Sequence, residues 1–238
     1  MPQEAEQNPE QEPEIPGSET MNEPEMPGPA GTGLLGGWKV YNDENTEYKL
    51  PDNAKGAFDK ALQSYVGMNF KPVALLGTQV VAGTNYQILC IGSPVVPDPV
   101  ENLYVVQIYE DLSGNSSITN VAEFDFAQLE ENRESQIPDS GLLGGWAAPE
   151  EIDAVELPEN VQNLFDETAG KLMGVRYIPA AILGTKIIAG TEYALLAHAQ
   201  LVTADPVNYY AVLFLAQNAD GSSELLNIAP LNCADYNN

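Results

Sequence analysis

Leu75-Leu76-Gly77-Thr78-Gln79-Val80-Val81-Ala82-Gly83-Thr84-Asn85-Tyr86 decides how this chain folds, because it is written twice. It returns as Ile182-Leu183-Gly184-Thr185-Lys186-Ile187-Ile188-Ala189-Gly190-Thr191-Glu192-Tyr193. Each copy is a β-branched run, an Ala-Gly turn and a second strand-like run. That is the pattern of a tight antiparallel hairpin, in which glycine takes the positive φ. A second block, Gly33-Leu34-Leu35-Gly36-Gly37-Trp38, returns letter for letter as Gly141-Leu142-Leu143-Gly144-Gly145-Trp146. Trp38 to Trp146 is a step of 108 and Gly83 to Gly190 a step of 107, so one residue is inserted between the blocks. Solenoid units run to about 50 residues, so a period this long means a duplicated domain. Elsewhere the copies have diverged almost everywhere, which makes these two glycine-bearing segments the first place to look for function.

The elements around the hairpin follow from periodicity. Behind Leu50-Pro51-Asp52-Asn53, the residues Ala54, Phe58, Ala61, Leu62 and Tyr65 recur at helical spacing, with Gly67 where the helix should stop. Copy two repeats this after Leu157-Pro158-Glu159 with Val161, Leu164, Phe165, Thr168 and Leu172, ending at Gly174. Residues 38–41 predict a short first strand. Strands are then expected over 73–81, 85–91, 103–109 and 118–126, with a second turn at Asp111-Leu112-Ser113-Gly114-Asn115. In copy two the later strands fall at 209–215 and 224–228, around the turn Asn218-Ala219-Asp220-Gly221. One helix followed by an antiparallel meander predicts an α+β fold: two domains, each one helix packed on a four- to five-stranded antiparallel sheet. The expected limits are a tail over 1–32, domain one over 33–130, a linker over 131–140 and domain two over 141–238.

Composition narrows the function classes. The 238 residues carry 9 basic and 35 acidic side chains, a formal charge of −26. Phosphate binding needs clustered Lys and Arg, so nucleic acid and anionic lipid are excluded as partners. No apolar run approaches the ~18 residues of a membrane span. The first 32 residues hold eight Glu, seven Pro and no Lys or Arg, which predicts a disordered acidic tether. A Met followed directly by such a tether reads as a chain begun after a removed export signal, so an extracellular or surface-tethered protein is expected. Cys90 and Cys233 stand opposite Ala197 and Phe126 in the other copy and read as buried small hydrophobes rather than a disulfide.

The order of these parts resembles the cystatin family. Gln79, Val81 and Gly83 meet the family's Q-x-V-x-G motif in full, and Thr84-Asn85-Tyr86 looks like a stefin, the subfamily without disulfides. Leu34-Leu35-Gly36-Gly37 resembles the family's N-terminal trunk, and residues 33–129 cover a whole domain in the family's order. The resemblance implies reversible inhibition of papain-like cysteine proteases by a wedge that blocks the cleft uncleaved. Leu34 and Leu35 would then fill subsites beside the catalytic cysteine, with Gly36 and Gly37 turning the trunk away. Gln79, Val80, Val81, Ala82 and Gly83 would form the first hairpin, and Leu112, Ser113 and Gly114 the second. In copy two the same roles would fall to Leu142, Leu143, Gly144 and Gly145, and to Ile187, Ile188, Ala189 and Gly190. The family resemblance also implies a monomer, with a strand-exchanged dimer through the first hairpin as the alternative.

There are departures. The second hairpin lacks the Pro-Trp pair of many cystatins, and Lys186 stands where the motif has Gln. Trp38 and Trp146 read as core anchors. His198, the only histidine, has no Ser or Cys partner shared between copies, and no metal cluster, cofactor motif or phosphate loop is present, so an enzyme is not expected. The rival to inhibition is a non-inhibitory cell-surface binding or scaffold module on the same fold, which could bind through an open sheet face. The strand order and the linker length together predict head-to-tail domains, with copy one crowding the second wedge.

Overall fold

The computed structural model describes residues 37–40, 50–124, 129, 145–147 and 157–236. The predicted tail at 1–32 and linker at 131–140 lie outside the described residues. Among the described residues the fold is α+β, with two antiparallel sheets of five and four strands and two α-helices of defined extent.

In the first half, β1 (Lys39–Val40) is followed by α1 (Asp52–Leu62), β2 (Met68–Val81), β3 (Gly83–Pro94), β4 (Asn102–Asp111) and β5 (Ser116–Glu123), and the sheet runs in sequence order. The second half has α2 (Glu159–Glu167), β6 (Val175–Ile188), β7 (Gly190–Leu201), β8 (Asn208–Asn218) and β9 (Ser223–Leu231), again in order. Trp146 and Ala147 reproduce β1 in miniature, as a single antiparallel bridge between Ala147 and Thr185.

Helix α1 buries Ala54, Ala57, Phe58 and Ala61; the three alanines let the sheet approach its backbone closely and Phe58 fills the space between. It ends at Leu62, so Tyr65 lies beyond it. Helix α2 also stops short of its predicted end. Thr168 leaves helical dihedrals and its Oγ1 donates to the Leu164 carbonyl at 2.6 Å, after which Ala169–Lys171 form a 3-10 turn and Leu172 is extended. A β-branched hydroxyl that competes for the preceding carbonyl is a weak point in a helix.

Strands β2 and β6 bulge at the same places, between Pro72 and Ala74 and between Leu75 and Gly77 in one, between Pro179 and Ala181 and between Ile182 and Gly184 in the other. Bulges sharpen bend and twist, which lets each long hairpin curl around its helix.

Both faces of each sheet are buried along its central strands, β3 and β4 in one and β7 and β8 in the other. In β3, Tyr86, Ile88 and Cys90 face α1, while Leu89 and Ile91 face the other sheet. In β8, Tyr209, Ala211, Leu213 and Leu215 face α2, while Tyr210, Val212 and Phe214 face the first sheet. The two sheets therefore share one core, with a helix on each outer side. This replaces the expected head-to-tail arrangement. A face carrying Leu89, Ile91, Leu103, Val105 and Phe124 would otherwise sit in water, at a cost of roughly 1.5–3 kcal/mol for each large side chain. Trp146 lies in this shared core and Trp38 packs against its edge, as the anchor reading expected. Cys90 and Cys233 are both buried free thiols.

Candidate functional site

The hairpins meet at one end of the first sheet. Val81 pairs with Gly83 across Ala82, and Gly83 pairs in turn with Asp111, the last residue of β4. The turn over Leu112, Ser113 and Gly114 is thus a direct neighbour of the Ala82 turn. The third part approaches from β1. Lys39 pairs with Thr78 and Val40 with Gly77, antiparallel, so the chain before Lys39 heads toward Val80 and Val81. Gly37, half-buried, is on that path. Leu34, Leu35 and Gly36 lie outside the described residues, as do Leu142, Leu143 and Gly144.

The apolar tips face water. Val80 is 61% exposed, Val81 42% and Leu112 86%. Gln79 is turned away from the tip; its Oε1 accepts a 2.6 Å hydrogen bond from Asn85 Nδ2 across the hairpin. Gly83 is buried rather than presented, with φ of +139°. A Cβ there would stand 2.3 Å from the Glu110 carbonyl oxygen, so the hairpin needs glycine for close approach as well as for its dihedral.

The tip backbone is locked from behind. Tyr109 Oη donates to the Ala82 carbonyl at 2.6 Å, fixing the apex of the first turn to β4. Asp111 accepts from the Asn115 side chain at 2.8 Å and from the backbone N–H groups of Ser113 and Asn115. Those bonds, the Asn115 side chain first, hold its carboxyl below the usual range. From α1, Lys60 Nζ donates to the Gly114 carbonyl at 3.0 Å and to Glu110 Oε1 at 3.4 Å. Tyr86 Oη donates to Glu110 Oε2 at 3.3 Å. Burial, and then the Glu110 carboxylate, raise the Tyr86 pKa, so it stays a donor. Tyr109 and Lys60 carried no signal in the sequence, because a hydrogen bond between two elements has no period.

The second half builds the same end differently. Ile187 is 84% exposed and Ile188 41%, so the first half does not crowd this tip, contrary to expectation. Gly190 repeats the close approach of Gly83, with φ of +140° and the Gln217 carbonyl 2.3 Å from an added Cβ. The apex carbonyl of Ala189 is taken by the Ala219 N–H at 3.3 Å instead of by a tyrosine. Gly145 has φ of +83°, ahead of the Ala147 bridge. The adjoining turn carries Ala219 where the first half carries Leu112, with Asp220 fixed to Ser222. Glu167 on α2 occupies the place of Lys60 and accepts from Ser223 Oγ at 2.6 Å. Lys186, the departure from the motif, does not reach the tip. It is buried, its Nζ lies 5.5 Å from the Trp146 ring, and it pairs in register with buried Glu192, where the first half pairs Gln79 with Asn85.

The described residues hold no His, Cys, Asp and Glu cluster able to bind a metal ion, and no helix long and apolar enough to cross a membrane. Burial raises the pKa of both thiols, that of Cys233 to about 12, so neither is a thiolate at neutral pH. The sequence matches no protein-family model and no curated protein.

Proposed function

We propose that the chain is a tandem cystatin-like, reversible inhibitor of papain-like cysteine proteases, acting outside the cell or tethered to its surface. The observation that carries this reading is the tip of the first half. Exposed Val80, Val81 and Leu112 stand in neighbouring turns on backbone fixed by Tyr109, Asp111, Lys60 and Gly83, and the antiparallel pairing of β1 with β2 aims the chain at Gly37 and Trp38 toward them. A small apolar tip that loses little freedom on docking is what a narrow cleft can bury. The first half is the stronger wedge, because Leu112 is replaced by Ala219 in the second and the cation at Lys60 by Glu167. The charge of Lys186 is not the reason, since it is absorbed inside the fold.

The rival scaffold reading loses one of its routes, because the sheet faces it could have used are packed against each other. Titration of papain with the full chain tests the proposal. Slowing of hydrolysis at micromolar inhibitor, without cleavage of the chain, is expected. No slowing of papain or any relative at that concentration would leave the scaffold reading in possession.

A further inference from the structure

Much of the contact between the two halves is reciprocal; the buried bond from Gln87 Nε2 to the Cys233 carbonyl at 2.8 Å is not, because Ala194 stands at the position equivalent to Gln87. Asn120 Nδ2 donates to the Tyr236 carbonyl at 2.8 Å, and Asn227 Nδ2 donates to the Leu129 carbonyl at 3.1 Å. Asn120 to Asn227 is a step of 107, and so is Leu129 to Tyr236. In these two bonds each half gives the other what it receives, from equivalent positions. The apolar partners match in the same way. Leu76 and Leu183, Leu89 and Leu196, and Val105 and Val212 all lie in the shared core at that step. Contact of i with j matched by contact of j with i is the mark of an isologous, two-fold interface. Two unrelated apolar faces pressed together would have no reason to reciprocate.

We propose that this inward face is a self-recognition surface: the corresponding face of a second copy of the chain, like or unlike in number, fits it as the chain's own other half does. The tandem chain is then a two-fold dimer closed by a linker. The occupant follows from the identity of the reciprocal positions: Asn120 and Asn227, Leu76 and Leu183, Leu89 and Leu196, and Val105 and Val212 are the same residue in both halves, so a like half offers these same partners. The inference is independent of what the tips bind. The linker gives the internal pairing an effective concentration of about millimolar, so dilute chains close on themselves and exchange halves only when crowded or refolded together.

The test uses the full chain with a specific protease site inserted within 131–140, made with and without 15N. After cleavage, native mass spectrometry should find the two fragments still paired. Labelled and unlabelled cut protein, mixed in mild denaturant and returned to buffer, should then yield first-half homodimers beside the mixed pairs. Fragments that part on cleavage, or that re-form only unlike pairs, would overturn the proposal. Should cleavage cost the fold, the uncut chain refolded at about 1 mM decides the matter. A dimer by light scattering is expected there, and a monomer at every concentration overturns it.

Discussion

Leu112 and Gly83 belong to neighbouring turns and are opposite in physics. Leu112 is 86% exposed, so its side chain contributes almost nothing to the fold and is free to contribute to binding. Leu112→Glu should leave the melting temperature within the range of ordinary surface substitutions, about 0.5 kcal/mol. It should weaken papain inhibition by about 2 kcal/mol or more, roughly 30-fold, because a carboxylate would be buried unpaired in the cleft. Inhibition constants and thermal denaturation of the same sample check both halves of that statement. Gly83 behaves the other way. Gly83→Ala puts a methyl group 2.3 Å from the Glu110 carbonyl and should cost about 2 kcal/mol or more of stability. Gly67→Ala supplies the control, because Gly67 has φ of +97° with open space around it and should cost only the left-handed penalty of about 1–2 kcal/mol. Equal losses at the two sites would show that the close approach contributes nothing.

At the scale of the element, β6 and β7 carry a polar core inside the shared apolar one. Lys186 and Glu192 pair in register, both buried, and Trp146 lies under the lysine. Removing one member of such a pair leaves the other charge buried, which typically costs 3–5 kcal/mol, whereas replacing both is far milder. Lys186→Gln with Glu192→Asn restores the pair that Gln79 and Asn85 form in the first half. Denaturant titration of the single and double variants should give a double variant more stable than either single. His198 supplies the pH dependence. It is 6% exposed, its Nε2 has no hydrogen-bond partner, and Tyr210 stacks edge-on against its ring. Burial, and then the charge of Arg176, lower its pKa below the ordinary value of about 6.5. The unfolded chain therefore takes up a proton first, so stability is full above that value and falls as the pH drops below it. His198→Gln should flatten stability between about pH 7 and pH 5 relative to the parent chain. An unchanged slope would show that burial of His198 does not set the pH dependence in this window.

The hairpins, the helix stripes and the tip residues Val80, Val81, Ile187 and Ile188 were legible in the sequence because each rests on a local period or a turn glycine. The lock on the tip was not, because Tyr109 and Lys60 act across elements. The arrangement of the halves was legible in principle. Tyr209-Tyr210-Ala211-Val212-Leu213-Phe214-Leu215-Ala216 has no polar alternation, which is what a strand buried on both faces requires. One helix covers only one face, so this run called for a second cover, and the nearest candidate was the repeat itself. Strand order and linker reach, which the head-to-tail expectation rested on, carry no information about which sheet face needs a cover. The shared core has a consequence for the whole molecule. Isolated residues 33–130 would expose Leu89, Ile91, Leu103 and Val105, so the halves cannot unfold independently. Trp38 and Trp146, the only two tryptophans, make this measurable half by half. In a Trp38→Phe background, fluorescence reports the surroundings of Trp146, a residue of the second half, while far-UV circular dichroism reports both halves. The two melting curves should coincide, as a single cooperative transition demands. Leu89→Ala, in the first half, should then lower the Trp146 midpoint by as much as Leu196→Ala, its counterpart in the second. Each removes a fully buried leucine from the same core, at about 2–5 kcal/mol. A Trp146 transition that ignores Leu89→Ala would show two separately folding units that touch, and the two sheets would not share one core in the energetic sense.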